Sequence, residues 1–272
     1  MDHLRLKYCC DPLAAAFLAV TSALALPAAA TTCHAASGPN TVPLVVLYTS
    51  EGCDSCPPAD RWLSATFPVG APGPAPAPAA LALAFHVDYW DRLGWRDRFA
   101  SAQFTQRQYA EMTANGATFV YTPQVLVQGH PVEAWNRGRV PDAIAAVARR
   151  PSRAVITLDV TPSADATQLR ASASVALPSL RKDAVMWLAF TDSGHVTDVG
   201  AGENRGARLR HDHVVRRLYG PYAIAPDGTA AAALTFSPPA DPGNAPTIIA
   251  FVQDTAVGDV LQAVASTNCR EP

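Results

Sequence analysis

The chain has 272 residues, of which 49% are hydrophobic and 16% are charged. This composition excludes a disordered protein and supplies enough apolar surface for a sizeable core, better suited to two domains than to one. The formal net charge of -2 gives no electrostatic case for binding nucleic acid, because such binding depends on many cations that neutralise phosphates.

The N-terminal segment has the features of a secretory signal. Arg5 and Lys7 precede the apolar stretch 13–26, and three alanines at 28–30 form an A-x-A cleavage site. We expect cleavage after Ala30. The apolar stretch is shorter than the ~18 to 20 residues that a membrane span needs. The sequence therefore predicts a secreted, periplasmic protein without a stable transmembrane segment.

Signal cleavage removes Cys9 and Cys10 and leaves four of the six cysteines in a compartment where disulfides persist. Their simplest pairing joins Cys53 to Cys56 and Cys33 to Cys269, so that the second disulfide connects the two ends of the mature chain. In the alternative, Cys33 lies in a frayed tail and pairs with nothing. The sequence leaves both alternatives open.

The first predicted strand of the mature chain is "PLVVLYTS", a continuous apolar run of the kind that is covered on both faces of a sheet. The C-x-x-C motif of Cys53 and Cys56 follows it directly. Pro57 and Pro58 then suit the first turn of a helix, where a missing N–H donor costs little. The five prolines between residues 68 and 78 predict an extended surface loop.

Further elements alternate in type up to Pro151. "LALAFHVDYW" and "YTPQVLVQG" predict strands, "VEAW" a hairpin partner of the latter, and "RFASAQFTQRQYAEMTANG" and "PDAIAAVARR" helices. Beyond Pro151, short apolar runs separated by turn residues predict an antiparallel β-sandwich or barrel. We therefore expect a signal peptide over 1–30, an α/β domain over 31–150 and an antiparallel β-rich, sandwich-like domain over 151–272.

The C-x-x-C motif suits a dithiol enzyme. Such an enzyme needs an exposed, partly ionised first thiol, a second thiol that resolves the mixed disulfide, and a backbone surface that holds the partner chain. We expect Cys53 to be exposed ahead of the helix N-terminus, whose N–H groups favour a thiolate, and Cys56 to be shielded beneath it. Asp54 opposes the thiolate and predicts a first thiol of moderate acidity.

Several segments resemble known families. The C-x-x-C motif after the first strand, "FHVD" and "YTPQVLV" resemble the thioredoxin superfamily. Four longer segments resemble a family of bacterial secreted thioredoxin-like proteins of unknown function: "VVLYTSEGCDSCPPAD", "AFHVDYWDRLGWRDRFASAQFTQRQ", "VYTPQVLVQG" and "GENRGARLRHDHVVR". The resemblance implies a thioredoxin-like α/β domain in which Cys53 is the nucleophile, Cys56 is the resolving thiol, and Thr122 with a cis Pro123 faces the substrate.

The dithiol motif and the predicted export also predict partners. The chain is expected to act as a thiol-disulfide oxidoreductase on thiols or disulfides of envelope proteins, together with an unknown redox partner and without a cofactor. Two consecutive prolines after Cys56 depart from the thioredoxin pattern. Because Pro57 biases Cys56 away from helical geometry, the helix is expected to begin later.

Four residues at the end of the predicted second strand and just beyond it form a possible docking surface: Asp88, Tyr89, Trp90 and Trp95. They should emerge at the same sheet edge as Cys53, where exposed aromatics can bind a partner. Alternatively, they form a rigid aromatic loop that packs against the second domain. The sequence does not decide between these interpretations.

Two other functions use the same residues differently. In a copper-binding protein or metallochaperone, Cys53 and Cys56 bind Cu(I), with His86 as the nearest further ligand. His86 equally suits a core position in an apolar strand. His211 and His213, among several arginines, are weaker evidence for a metal or anion site. In the third alternative, the protein is a non-enzymatic binding module of the cell envelope.

Overall fold

The computed structural model describes residues 32–69, 80–163 and 168–266. The predicted signal peptide, most of the proline-rich segment and Cys269 lie outside these residues. The strands are β1 (Cys33–Ala36), β2 (Leu44–Thr49), β3 (Leu81–His86), β4 (Gln124–Val127), β5 (His130–Pro131), β6 (Val155–Pro162), β7 (Leu169–Ala176), β8 (Ala184–Ser193), β9 (His195–Asp198), β10 (Arg208–His211), β11 (Val214–Ala223), β12 (Thr229–Phe236), β13 (Asn244–Asp254) and β14 (Val260–Ala265). The described helices are α1 (Pro57–Thr66), α2 (Ala102–Ala114) and α3 (Arg139–Ala148), with short 3-10 helices at Asp91–Leu93 and Trp135–Arg137.

The main sheet has eight strands in the order β14-β13-β8-β11-β3-β2-β4-β5. Strand β2 lies parallel to β3 and antiparallel to β4, and all six of its residues are buried. Alternate side chains explain this burial: Val45 and Leu47 pack towards α1 and α3, whereas Val46 and Tyr48 pack on the side of α2. The continuous apolar run therefore forms the doubly covered strand that its composition predicts.

The predicted fold class is wrong, because the two halves of the chain share this sheet. Val214 of β11 pairs in parallel with Ala84 of β3, and β8, β13 and β14 extend the sheet beyond β11. The molecule is therefore mostly β, with large mixed sheets, and is not a thioredoxin-like α/β domain followed by a separate sandwich. The physical reason lies at the edge of β3, whose backbone groups are satisfied by a strand from the second half.

A second sheet covers part of the main sheet. Its order is β1-β6-β7-β12, and Ile156 and Leu158 of this sheet share a buried core with Leu188 and Ala250 of the main sheet. Strand β1 precedes residue 151 but pairs with β6, which follows it. The division of the chain into domains at residue 151 stays a prediction. No helix among the described residues is long and apolar enough to cross a membrane.

Two of the predicted strands differ locally from the structure. The segment "LRHDHVVRRLY" forms two strands, β10 and β11, separated where His213 adopts a φ of 58°. The hairpin partner of β4 is His130–Pro131 rather than "VEAW", whose Trp135 begins a short 3-10 helix. Both differences arise at residues with positive φ, where the chain turns without a strong proline or glycine signal of its own.

Candidate functional site

Cys53 and Cys56 form a disulfide at the start of α1. The helix begins at Pro57, with Cys56 as its N-cap residue in helical geometry (φ -77°, ψ -39°). The expectation of a later helix start is therefore wrong: the two prolines occupy the first turn, where their missing N–H groups have no intrahelical partner to lose. The carbonyl oxygen of Cys56 accepts a hydrogen bond from the main-chain N–H of Asp60 at 3.1 Å.

Thr122 and Pro123 lie beside this disulfide. The peptide bond between them is cis, as the resemblance to thioredoxins implies. The carbonyl oxygen of Thr122 lies 3.8 Å from Sγ of Cys53 and accepts a hydrogen bond from Oγ of Ser55 at 3.5 Å. Trp90 positions Thr122 by donating from Nε1 to its side-chain oxygen at 2.8 Å. The structure thus brings together the residues predicted to face the substrate and the cysteines, and their role in binding stays a prediction.

A loop from the second half of the chain covers the disulfide. We call residues 199–207, between β9 and β10, the cover loop. Its Asn204 donates from the side-chain amide to the carbonyl oxygens of Glu51 at 2.9 Å and of Cys53 at 2.8 Å. Cys53 and Cys56 are both 0% exposed. The expected exposure of Cys53 is therefore wrong, because its strand-to-helix turn is held beneath residues that the local sequence does not reveal.

A second contact connects the cover loop to the C-x-x-C motif. Oε2 of Glu203 accepts a hydrogen bond from the main-chain N–H of Asp54 at 3.2 Å. This contact places the carboxylate of Glu203 against the main chain of the C-x-x-C motif. The cover loop therefore holds the main chain of the turn that carries the disulfide, and both cysteines are buried.

Trp95 packs between the C-x-x-C segment and the cover loop. Its Nε1 donates to Oε2 of Glu51 at 2.8 Å. The indole ring of Trp95 lies against Gly200: a Cβ added to Gly200 would be 3.1 Å from this ring. The Cβ of Trp95 itself lies near Gly202. Small residues in the cover loop therefore make room for the indole. For Trp95 the structure shows the packing contact that was one of the two alternatives.

The other three residues of the possible docking surface are partly exposed. Asp88 accepts a hydrogen bond from the hydroxyl of Thr105 at 2.6 Å, and Tyr89 donates to the side-chain oxygen of Gln108 at 3.3 Å. Trp90 lies so close to Gly52 that a Cβ added to Gly52 would be 2.9 Å from the Cβ of Trp90. These residues border the disulfide loop, and a docking role for them stays a prediction.

Five ionisable side chains form a buried acid–histidine cluster next to the disulfide loop: Glu51, Asp60, His86, Asp97 and His211. Each is at most 7% exposed. Nδ1 of His86 lies 2.6 Å from Oδ2 of Asp97, and Nε2 of His211 lies 3.2 Å from Oε1 of Glu51. Nδ1 of His211 lies 3.9 Å from Oδ2 of Asp60, and the two imidazole rings are 4.9 Å apart. The cluster places three carboxyl groups against two histidines.

The pKa values in this cluster diverge. Burial disfavours the charge of His86, but the charge and hydrogen bond of Asp97, together with the charges of Asp60 and Glu51, outweigh burial and raise the pKa of His86. Burial opposes the ionisation of Asp97 as well, yet the contact with His86 and main-chain N–H donors lowers its pKa. Hydrogen bonding to His211 and Trp95 likewise lowers the pKa of Glu51 against the effect of burial. For Asp60, burial dominates and raises the pKa. The cluster therefore holds one ionised pair, His86 and Asp97, and one carboxyl group, that of Asp60, which retains its proton to higher pH.

The alternative metal ligand His86 belongs to this cluster. Its Nδ1 contacts Asp97, and among the described residues no three His, Cys, Asp or Glu side chains are arranged so that they could hold a metal ion. His211 and His213 lie in different surroundings: His211 is buried in the cluster, whereas Nε2 of His213 lies 2.7 Å from the carbonyl oxygen of Phe67.

Cys33 is disulfide-bonded. Its predicted partner Cys269 lies outside the described residues, so this pairing stays a prediction.

Several residues of the site were not predicted from the sequence. Glu203, Asn204 and His211 occur within "GENRGARLRHDHVVR", a segment singled out by its family resemblance but not assigned to the disulfide. Asp60 occurs within "CPPAD", where the sequence alone indicates only a favourable charge at the helix N-terminus. Its burial is the feature that a sequence pattern does not report.

Three comparisons place the chain among known proteins. Residues 44–253 match the model of a family described as a protein of unknown function, DUF1223. Among curated proteins none matches the chain significantly. An X-ray structure of a protein from Agrobacterium tumefaciens is 23% identical, with a TM-score of 0.57, and the match covers 84% of this chain and 94% of that one. HBP35 of Porphyromonas gingivalis is 13% identical with a TM-score of 0.57, and the match covers 83% of this chain and 74% of that one. At these identities the two structures support the fold alone.

Proposed function

We propose that this chain, which belongs to the DUF1223 family, is a thiol-disulfide oxidoreductase that acts through Cys53 and Cys56. The observation that carries the proposal is the position of the disulfide at the start of α1, with the carbonyl oxygen of Thr122 3.8 Å from Sγ of Cys53. A disulfide between residues so close in sequence restrains little of the unfolded chain, so stabilising the fold is a poor explanation for it.

The proposed reaction is an exchange of two electrons and two protons with a partner protein. A thiolate of the partner attacks Sγ of Cys53, the bond to Sγ of Cys56 breaks, and Cys56 leaves as a thiolate that takes up a proton. The second thiol of the partner then loses its proton and attacks the mixed disulfide. This step releases an oxidised partner and the Cys53 thiol, and the reverse sequence reduces a partner disulfide.

The neighbouring residues suit the binding of an extended partner segment. The cis peptide bond at Thr122-Pro123 lies beside the cysteines, and Tyr121, which precedes it, is 42% exposed. Main-chain groups at this position pair with substrate backbone in the thioredoxin superfamily that the motifs resemble. We propose the same role for Thr122 and Pro123 here, with the cover loop displaced.

The proposed compartment is the cell envelope. A secretory signal is predicted for residues 1–30, and disulfides persist after export. Envelope proteins with thiols or disulfides are therefore the proposed substrates.

Reduction of insulin disulfides in the presence of dithiothreitol tests the proposal. The wild-type protein is expected to accelerate insulin precipitation, and Cys53→Ser is expected to abolish the acceleration. Ser179→Ala is the control, because Ser179 is exposed and lies outside the disulfide turn and the cover loop; it is expected to keep wild-type activity. Unchanged activity in a folded Cys53→Ser variant would reject the proposed reaction.

A further inference from the structure

A cavity separate from the disulfide opens between α2 and the strands β8, β11 and β13. Its volume is about 310 Å³, which suits a small organic molecule. Apolar side chains form much of its wall, and several polar groups converge on it from α2 and β13. The lining residues that matter below are Arg107, Ala110, Glu111, Trp187, Leu218 and Gln253.

An irregularity in β11 gives this cavity its space. The pairing of β11 with β8 is interrupted between Tyr219 and Tyr222. Within the interruption, Gly220 has a φ of 119°, and an added Cβ would lie 2.9 Å from the carbonyl oxygen of Met186 and 3.0 Å from the ring of Trp187. The absence of a side chain at Gly220 therefore leaves the neighbourhood of the Trp187 indole open.

Arg107 is a buried cation whose hydrogen-bonding capacity is only partly used. Its side chain is 5% exposed. Nη2 donates to Oε1 of Glu111 at 2.7 Å and to the side-chain oxygen of Gln253 at 2.8 Å. Within the described part of the chain, Nε is buried without a hydrogen-bond partner, and so is Nε1 of Trp187. A buried donor without an acceptor is unfavourable. Both atoms are closed to solvent in this structure, so a ligand in the cavity reaches either of them only after a local shift.

The acceptors around Arg107 are already occupied. Oε1 of Glu111 accepts from Arg107 and from Gln253, and its Oε2 accepts from the hydroxyl of Tyr48. Gln253 also donates to the carbonyl oxygen of Gly258 at 2.9 Å. Around Arg107 and Trp187 the unused capacity therefore consists of donors, so a ligand that is complementary to this part of the cavity presents acceptor atoms.

We propose that this cavity binds a small organic carboxylate with an apolar body. Its oxygens accept hydrogen bonds from the guanidinium of Arg107 and, after a small local shift, from the indole N–H of Trp187. Its apolar part lies against Ala110 and Leu218. A carboxylate is favoured over a neutral carbonyl compound because a guanidinium hydrogen bond to an ionised acceptor is about twice as strong as one to a neutral acceptor. The site is independent of the disulfide chemistry.

Titration of the ¹⁵N-labelled protein with benzoate tests this proposal, with the indole N–H signal of Trp187 as the readout, assigned by its loss in Trp187→Phe. Benzoate is expected to shift this signal saturably, and benzamide, a neutral molecule of similar shape, is expected to bind at least about tenfold more weakly. Inorganic phosphate, an anion without an apolar body, is expected to bind more weakly than benzoate.

Ala110→Phe provides a variant that keeps the charged groups intact. Replacing Arg107 would leave the buried Glu111 unpaired and endanger folding, whereas Ala110 is exposed on α2 and lines the cavity. Ala110→Phe is expected to weaken benzoate binding at least about tenfold. Thr113→Phe, an exposed position on the same helix outside the cavity lining, is expected to leave it unchanged.

Three outcomes would overturn the proposal. The first is the absence of a saturable shift up to about 10 mM benzoate. The second is equal affinity for benzoate and benzamide, because the guanidinium would then not recognise a charge. The third is undiminished benzoate binding by Ala110→Phe, which would place the binding site elsewhere.

Discussion

The side-chain amide of Asn204 donates a hydrogen bond to the main-chain carbonyl oxygen of Cys53 at 2.8 Å, although the two residues lie 151 positions apart in sequence. This contact, with the second one to Glu51, connects the cover loop to the turn that carries the disulfide. We therefore propose that the second half of the chain limits access to the cysteines of the first half.

Removal of the Asn204 amide is expected to accelerate reduction of the Cys53–Cys56 disulfide. Two hydrogen bonds to buried carbonyl oxygens contribute about 1 to 3 kcal/mol, and their loss increases the population in which the cover loop is displaced. We expect Asn204→Ala to react with dithiothreitol about tenfold faster than the wild type, as measured by alkylation of the released thiols and mass spectrometry.

Asn136→Ala is the matched control for this measurement, because Asn136 is exposed and lies outside the cover loop. It is expected to react at the wild-type rate. Equal rates for Asn204→Ala and the wild type would show that the cover loop does not limit access to the disulfide.

Elements with a strong local pattern were predicted correctly from the sequence. The apolar run that became β2 and the helix signals around Pro57 and after Ser101 each depend on neighbouring residues. The parallel pairing of β11 with β3 was not predicted, because no local sequence pattern indicates which strand will pair with the backbone N–H and C=O groups at a given sheet edge. The fold class was wrong for this reason.

The same distinction applies to the candidate site. Cys53, Cys56, Thr122 and Pro123 were identified from short motifs, and the structure brings them together. The cover and the buried acid–histidine cluster depend instead on contacts between residues far apart in sequence. The charge of His211 or Asp60 indicates a polar surface as readily as a buried pair, so composition did not identify them.

Asp97→Asn is expected to destabilise the protein strongly at mildly acidic pH. The substitution leaves the buried His86 without its charged partner, a loss of about 3 to 5 kcal/mol for a buried pair. Because folding lowers the pKa of Asp97, its ionised carboxylate stabilises the folded protein above pH 3.8, the ordinary pKa of the group. This stabilisation is lost as the pH falls through the lowered pKa. Because folding raises the pKa of His86, its protonated imidazole stabilises the folded protein below pH 6.5, the ordinary pKa of the group. This stabilisation is lost as the pH rises through the raised pKa.

Urea unfolding of the wild type and Asp97→Asn as a function of pH checks this expectation. The difference in free energy of unfolding between the wild type and Asp97→Asn should be largest between about pH 4 and 6.5. In this range Asp97 and His86 are both ionised in the native and in the unfolded state of the wild type. A difference that does not change between pH 3 and 9 would contradict an ionised pair at this position.

Asp60→Asn is expected to have the opposite pH dependence. Because burial raises the pKa of Asp60 above 3.8, the folded protein binds more protons here than the unfolded chain, and its stability falls as the pH rises through this range. Asparagine does not ionise, so the variant should gain stability relative to the wild type between about pH 3 and pH 7. The thermal unfolding midpoints of the wild type and Asp60→Asn at these two pH values provide the measurement. If Asp60→Asn loses stability relative to the wild type as the pH rises, the raised pKa of Asp60 is refuted.

Mixed-disulfide trapping tests the proposed thiol-disulfide exchange most directly. In Cys56→Ser, the resolving thiol is absent, so Cys53 should remain joined to a cysteine of an envelope protein. Adducts isolated from envelope extracts and mapped by mass spectrometry are expected on Cys53, in larger amount when Asn204→Ala is also present. Failure of a folded Cys56→Ser protein to form any adduct through Cys53, together with stoichiometric Cu(I) binding by the wild type, would contradict the account.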